Sequence, residues 1–262
     1  MSAPERVGRA DIALVTLDTL RFDVAAEEMA AGRTPAFAGL FPGGWEERHT
    51  PSSFTLGAHL SFLAGFLPTP ARPGPHPRPF AARFAGSEST GPDTFVFDER
   101  DLPRGLAARG YRTLCVGGVG FFDPATTLGA QLTEGFEEVR FEPAFRVTEP
   151  DGLARQLDAI AAHGEGLRPD ERRFTLLNVS SLHQPNRHYL EGATRDDRAT
   201  HAAALRYVDG LVERLVAALR RGPLWLIVCS DHGTAYGEAG YLGHRLGHPV
   251  VWTVPYAEAW IP

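Results

Sequence analysis

Lysine is missing from all 262 residues, so every one of the 26 basic side chains is arginine. That absence excludes a P-loop nucleotide site, a protein kinase and a pyridoxal enzyme, each of which needs a lysine amine at the reacting group. Cysteine is nearly missing too. Cys115 and Cys229 sit inside the apolar runs YRTLCVGG and LWLIVCS, where buried free thiols are expected. Two such residues can build neither a cysteine-rich zinc site nor a disulfide framework. No run of about 20 apolar residues is present to span a bilayer, and the N-terminus has no secretory h-region. These absences lead to the expectation of a cytoplasmic protein with no membrane association. A surplus of cations is also lacking: 26 basic against 32 acidic residues give a net charge of −6, which argues against a nucleic-acid partner.

What is present is ordinary globular composition, 43% hydrophobic and 22% charged, over a length that suits one large domain spanning residues 1–262. Short apolar runs predict strands at Ile12–Leu17, Thr94–Phe97, Tyr111–Val116, Phe174–Val179 and Leu224–Cys229. The chain closes on a further core-like strand in VVWTVPYAEAWIP. Helical patterns fall at Val24–Ala31, Ala58–Phe66, Leu102–Arg109, Gly152–His163 and Ala199–Arg220. The alternation predicts an α/β fold, a mostly parallel central sheet with helices on both faces. One segment breaks the pattern. Residues 67–92 contain LPTPARPGPHPRPF, whose prolines forbid a helix or a central strand and imply a long loop. A functional loop and a passive excursion fit it equally, with His76 and Arg78 as weak candidates for substrate contact.

Two aspartates end the two clearest strands, Asp18 after IALVTL and Asp231 after LWLIVCS, and His232 follows the second. Ligands in open α/β sheets bind beyond the carboxyl ends of the strands, so both carboxylates can face one site, although an Asp near Gly233 also suits a plain turn. Carboxylate oxygens with an imidazole nitrogen favour a divalent zinc or manganese ion over calcium or magnesium. Thr55 lies just before the helix starting near Ala58, where amide groups favour an anion. It reads either as a metal-activated nucleophile or as an ordinary N-cap.

Three ordered segments together resemble the alkaline phosphatase and sulfatase superfamily: LVTLDTLRFD around Asp18, TLGAHLSFLAG from Thr55 to Gly65, and SDHGTAYG from Ser230 to Gly237. The resemblance implies an alkaline phosphatase-like core in which Asp18, Thr55, Asp231 and His232 hold the metal and Thr55 attacks. It implies a substrate or leaving-group contact for His183 in NVSSLHQPN. It places at least one of His244 and His248 of GYLGHRLGHPVVW at a second metal or the substrate. His59 stands where sulfatases carry an arginine, and would stabilise an oxyanion while positively charged, or else be a buried histidine of a helix face. Asp197 and His201 match a two-metal pattern, yet their place at the start of a long helix favours capping. Arg21 and Asp23 suit the opening motif and equally suit pinning its turn.

Several departures from the superfamily carry weight. A threonine at 55 cannot become formylglycine, Thr19 replaces a second aspartate, and Gly57 replaces a proline. The sequence ends at Pro262, where most members of the superfamily continue into a C-terminal subdomain, and the expectation is a core without it. The resulting reading is a metal-dependent hydrolase or transferase that acts on a small-molecule phosphate ester, phosphodiester or phosphonate through Thr55. Two alternatives stand beside it: a sulfate ester hydrolase lacking formylglycine, and a non-catalytic metal-binding subunit whose partner is a protein of a biosynthetic complex.

Overall fold

The apolar run before Asp18 becomes β1 (Asp11–Leu17), the central strand of a seven-stranded sheet in a computed structural model that describes residues 3–65, 80–81, 95–96 and 101–262. The other strands of this sheet are β2 (Glu46–His49), β3 (Tyr111–Val116), β4 (Glu138–Arg140), β5 (Arg172–Val179), β6 (Leu224–Cys229) and β7 (Thr253–Ile261). Their spatial order is β2-β7-β6-β1-β5-β3-β4. The pairings β1–β5, β1–β6, β3–β5 and β3–β4 are parallel, while β7 runs antiparallel to both β6 and β2. The sheet is therefore mostly parallel, with an antiparallel edge.

Side chains of successive strand residues face opposite sides, so the continuous apolar runs feed two cores. Ala13, Val15 and Leu17 of β1 and Leu177 and Val179 of β5 pack on one face with α1 (Phe22–Ala30), α3 (Gly152–Glu165), α4 (Arg198–Asp209) and α5 (Val212–Leu219). Ile12, Phe174, Leu176 and Cys115 point the other way, against Leu63 of α2 (Thr55–Ala64), Leu106 and Leu132. Each Val, Leu, Ile or Phe side chain among them taken fully out of water contributes roughly 1.5–3 kcal/mol, which makes the two layers the main support of the sheet.

The predicted long helix from Ala199 to Arg220 divides into α4 and α5, because Gly210 ends the first and Leu211 begins the second. Asp197 caps α4 in a reciprocal capping box with Thr200, the role the sequence favoured for it. The strand expected at Thr94–Phe97 is described only at Phe95–Val96, which pairs with Phe80–Ala81 in a separate two-stranded ladder and takes no place in the central sheet. The 67–92 expectation, with His76 and Arg78, lies otherwise outside the described residues.

Candidate functional site

Strand register decides the site. Thr16 of β1 pairs with Cys229 of β6 and with Asn178 of β5, so two residues further along Asp18 and Asp231 stand level beyond the carboxyl end of the sheet. Both are fully buried. Ligand atoms of Asp18, Asp231 and His232 all lie within 4.8 Å of one another. Asp18 Oδ2 accepts from Asn178 Nδ2 at 2.9 Å, and Asp231 Oδ1 accepts from the N–H groups of Thr19 at 3.1 Å and His232 at 3.0 Å. The other oxygens, Asp18 Oδ1 and Asp231 Oδ2, are buried with no hydrogen-bond partner. Two orphaned anionic oxygens beside an imidazole are costly unless a cation joins them, so the residues fit a divalent metal. Burial pushes both carboxyls up to about 6, and the Asp231 charge adds to this at Asp18.

His232 is poised as a ligand. Its Nδ1 donates to the Gly233 carbonyl at 2.9 Å, which leaves a lone pair on Nε2, and burial pushes its pKa below the usual value. The Thr55 hydroxyl lies 3.2 Å from that Nε2 and donates to it. Thr55 is the first residue of α2, not its cap. The cap position belongs to Phe54, which offers no side-chain hydrogen bond, so the helix starts three residues before the expected Ala58 and places the hydroxyl at the positive end of ten helical residues.

Thr19 adopts φ of +66°, a left-handed conformation unfavourable for a branched residue. The conformation aims its N–H at Asp231, while its hydroxyl donates to the Leu182 carbonyl at 3.1 Å and so supplies nothing to the metal cluster. Arg21 pins this turn: its buried guanidinium pairs with Asp23 at 2.7 Å and with Glu238, joining the segment after β1 to the segment after His232. Gly233 permits that junction, since a Cβ there would meet the Val250 carbonyl oxygen at 2.0 Å.

The remaining histidines separate. His183 Nδ1 donates to the Gln184 carbonyl at 2.6 Å, leaving Nε2 free, and its ring lies 5.5 Å from that of His244. His244 lies 4.6 Å from the His232 ring, its Nδ1 is buried without a partner, and burial pushes its pKa to about 3. His248 caps the short helix Pro249–Trp252 by accepting from the Val250 N–H at 3.2 Å, so of the pair it is His244 that stands beside His232. His59 also differs from a charged oxyanion group. It is fully buried, its Nδ1 donates to the Thr55 carbonyl at 2.8 Å, and its Nε2 meets Thr16 Oγ1 at 2.9 Å. Burial pushes its pKa to about 4, so it is a neutral brace under α2. His201 is buried against Tyr236, whose hydroxyl is 3.0 Å from its Nδ1.

Sequence reasoning missed Asn178. The signal was available, because an amide inside the apolar run FTLLNV demands a buried partner, and Asp18 is that partner. It missed also the pocket beside Thr55, with a volume of about 780 Å³, which Arg146, Arg245, His183 and His244 help to line.

The sequence model of the Sulfatase family matches residues 73–256. No curated protein matches the sequence. Among solved structures, the chain is similar to the soluble domain of lipooligosaccharide phosphoethanolamine transferase A from Neisseria meningitidis, with TM-score 0.65 and 14% identity, covering 96% of this chain and 76% of that one. It is also similar to the lipoteichoic acid synthase LtaP from Listeria monocytogenes (TM-score 0.61, 13% identity, 99% and 68% covered). A third is the C-terminal periplasmic domain of EcEptC from Escherichia coli in complex with Zn (TM-score 0.60, 12% identity, 96% and 72% covered). The fold is thus alkaline phosphatase-like. The expectation of a cytoplasmic protein is overturned by these neighbours: the Escherichia coli structure is a periplasmic domain and the Neisseria meningitidis one a soluble domain, so the same fold works outside the cytoplasm. Among the described residues no helix is long and apolar enough to cross a membrane.

Proposed function

Because the chain belongs to the sulfatase family, we propose that it is a metal-dependent hydrolase or transferase acting on a phosphate ester, phosphodiester or phosphonate through Thr55. The observation that carries this reading is the Thr55 hydroxyl donating to His232 Nε2 at the start of α2, beside two buried carboxylates with free oxygens. Asp18, Asp231, His232 and Thr55 would hold a zinc or manganese ion, which when bound lowers the hydroxyl pKa and offsets charge on the phosphoryl oxygens. The zinc complex of the Escherichia coli domain supports zinc first.

Thr55 releases its hydroxyl proton to water and forms the new bond from Oγ1 to phosphorus as the bond to the leaving oxygen breaks. The α2 dipole and its first-turn N–H groups favour the anionic phosphoryl group. His183, whose Nδ1 is committed to a carbonyl, holds or passes a proton at Nε2 for the leaving oxygen and then for the water or alcohol that releases the group. His244 faces the same pocket as a further contact for the phosphoryl group. Phosphoryl chemistry ranks above sulfuryl chemistry because threonine cannot supply formylglycine. The similarity to a phosphoethanolamine transferase and a lipoteichoic acid synthase agrees with that ranking. Residues 1–262 act in this reading as one catalytic domain.

Aryl phosphate, phosphodiester, phosphonate and sulfate esters compared at equal zinc loading test the ranking, and a sulfate ester turned over fastest reverses it. Thr55→Ala should lose several orders of magnitude in kcat while staying folded, since no cap is lost, and Thr55→Ser should keep part of the rate. Rapid quenching and peptide mass mapping should find the phosphoryl group on Thr55. Activity of folded Thr55→Ala within tenfold of the parent ends the assignment.

A further inference from the structure

The pocket beside Thr55 is far larger than a phosphoryl group needs. Its volume of about 780 Å³ lies in the range of about 300–1,000 Å³ that suits a whole organic ligand. Val119, Phe121 and Phe141 make much of the wall. Two cations interrupt this surface. The Arg146 guanidinium lies 5.8 Å from the Phe141 ring, and that of Arg245 lies 6.0 Å from the Phe54 ring. Neither pairs with a carboxylate among the described residues, although the chain is net acidic and many of its other arginines do. Asp123 also lines the pocket, with its Oδ1 accepting from the Ala125 N–H at 2.9 Å.

Both arginines are carried by segments fastened to the site. The Phe145 carbonyl, next to Arg146, accepts from Ser180 Oγ at 2.8 Å, just past the end of β5. The Arg245 N–H donates to the Ser53 carbonyl at 2.9 Å, in the lead-in to α2, and Arg245 adopts φ of +66°. A guanidinium resting on an aromatic face, without a carboxylate, is preorganised to receive an anion.

Resting on the reading of Thr55 above, we infer that the organic part of the substrate is an apolar body, an aromatic ring or acyl chain, carrying a second anionic group separate from the scissile ester. The apolar body lies along Phe121 and Phe141, and Arg146 and Arg245 receive the second anion. A carboxylate and a second phosphate satisfy this chemistry equally, and the two are separated by choice of probe.

Calorimetric binding to zinc-loaded Thr55→Ala protein, which removes turnover, tests the inference with four probes: inorganic phosphate, 2-naphthyl phosphate, 6-carboxy-2-naphthyl phosphate and naphthalene-2,6-diyl bisphosphate. The naphthyl ester should bind more tightly than phosphate. At least one of the two doubly anionic probes should bind about tenfold more tightly again, the tighter one naming the second anion. Arg146→Gln and Arg245→Gln should each reduce that tenfold preference at least threefold. Equal binding of the three naphthyl probes, or arginine variants that weaken all three by one factor, overturns the inference. The readout is separate from the nucleophile: full turnover of an aryl phosphate by Thr55→Ala defeats the Thr55 reading and leaves this binding order untouched.

Discussion

Replacing Asp231 with asparagine should stabilise the metal-free protein while removing its capacity for metal. The fully buried Asp231 carboxyl is raised from 3.8 to about 6, chiefly because burial strips it of water. Between those values the folded protein holds a proton that the unfolded chain releases, so stability falls as pH rises through the window and the loss is complete above it. Two pKa units at about 1.4 kcal/mol each amount to roughly 3 kcal/mol at neutral pH. Asparagine carries no charge. Its carbonyl oxygen keeps the N–H bonds from Thr19 and His232, and its amide takes the place of Oδ2, which lies 3.5 Å from the His232 Nε2 lone pair. With an unfolding entropy of about 2.1 cal/mol/K per residue, 3 kcal/mol corresponds to about 5 °C in Tm for a chain of this length.

The assay is thermal unfolding after chelation at pH 7.5 and pH 4. Asp231→Asn should melt about 5 °C above the parent at pH 7.5, and the gap should shrink markedly at pH 4. Added zinc should raise the Tm of the parent and leave the variant unmoved. A metal-free variant that melts at or below the parent at pH 7.5, or a gap independent of pH, refutes the reasoning.

Asn178→Ala removes the only side-chain donor given to Asp18 among the described residues, so zinc affinity measured by competition with a chelating dye should fall about 10- to 100-fold, and an unchanged affinity sinks its positioning role. His248→Ala should cost about 0.5–2 kcal/mol of stability in urea unfolding through loss of its helix cap, with aryl phosphate turnover within about twofold of the parent; a hundredfold loss of rate would return His248 to the site.

The amino-acid sequence determined the elements and the chemistry at their ends. Short apolar runs bounded by turn residues favour strands covered on both faces, and a carboxylate directly after such a strand lies at the carboxyl end of the sheet, so Asp18, Asp231 and the α/β class were legible locally. Asn178 was legible in the same way and overlooked. Short polar strands such as Glu46–His49 carry no such signal, since all four residues are exposed. Tertiary structure alone decided the rest. Asp18 and Asp231 meet because β6 and β5 flank β1 in register, and pairing order is not written in either strand. Histidines that look alike in sequence part company for the same reason: His183 and His232 each spend Nδ1 on a carbonyl, and the His232 Nε2 lone pair then accepts from Thr55, whereas His59 is braced at both nitrogens by the helix and β1, and His248 caps a helix. A ring's proton and direction follow from which distant backbone groups packing brings within 3 Å of it, a property of the whole chain and not of the residues beside it.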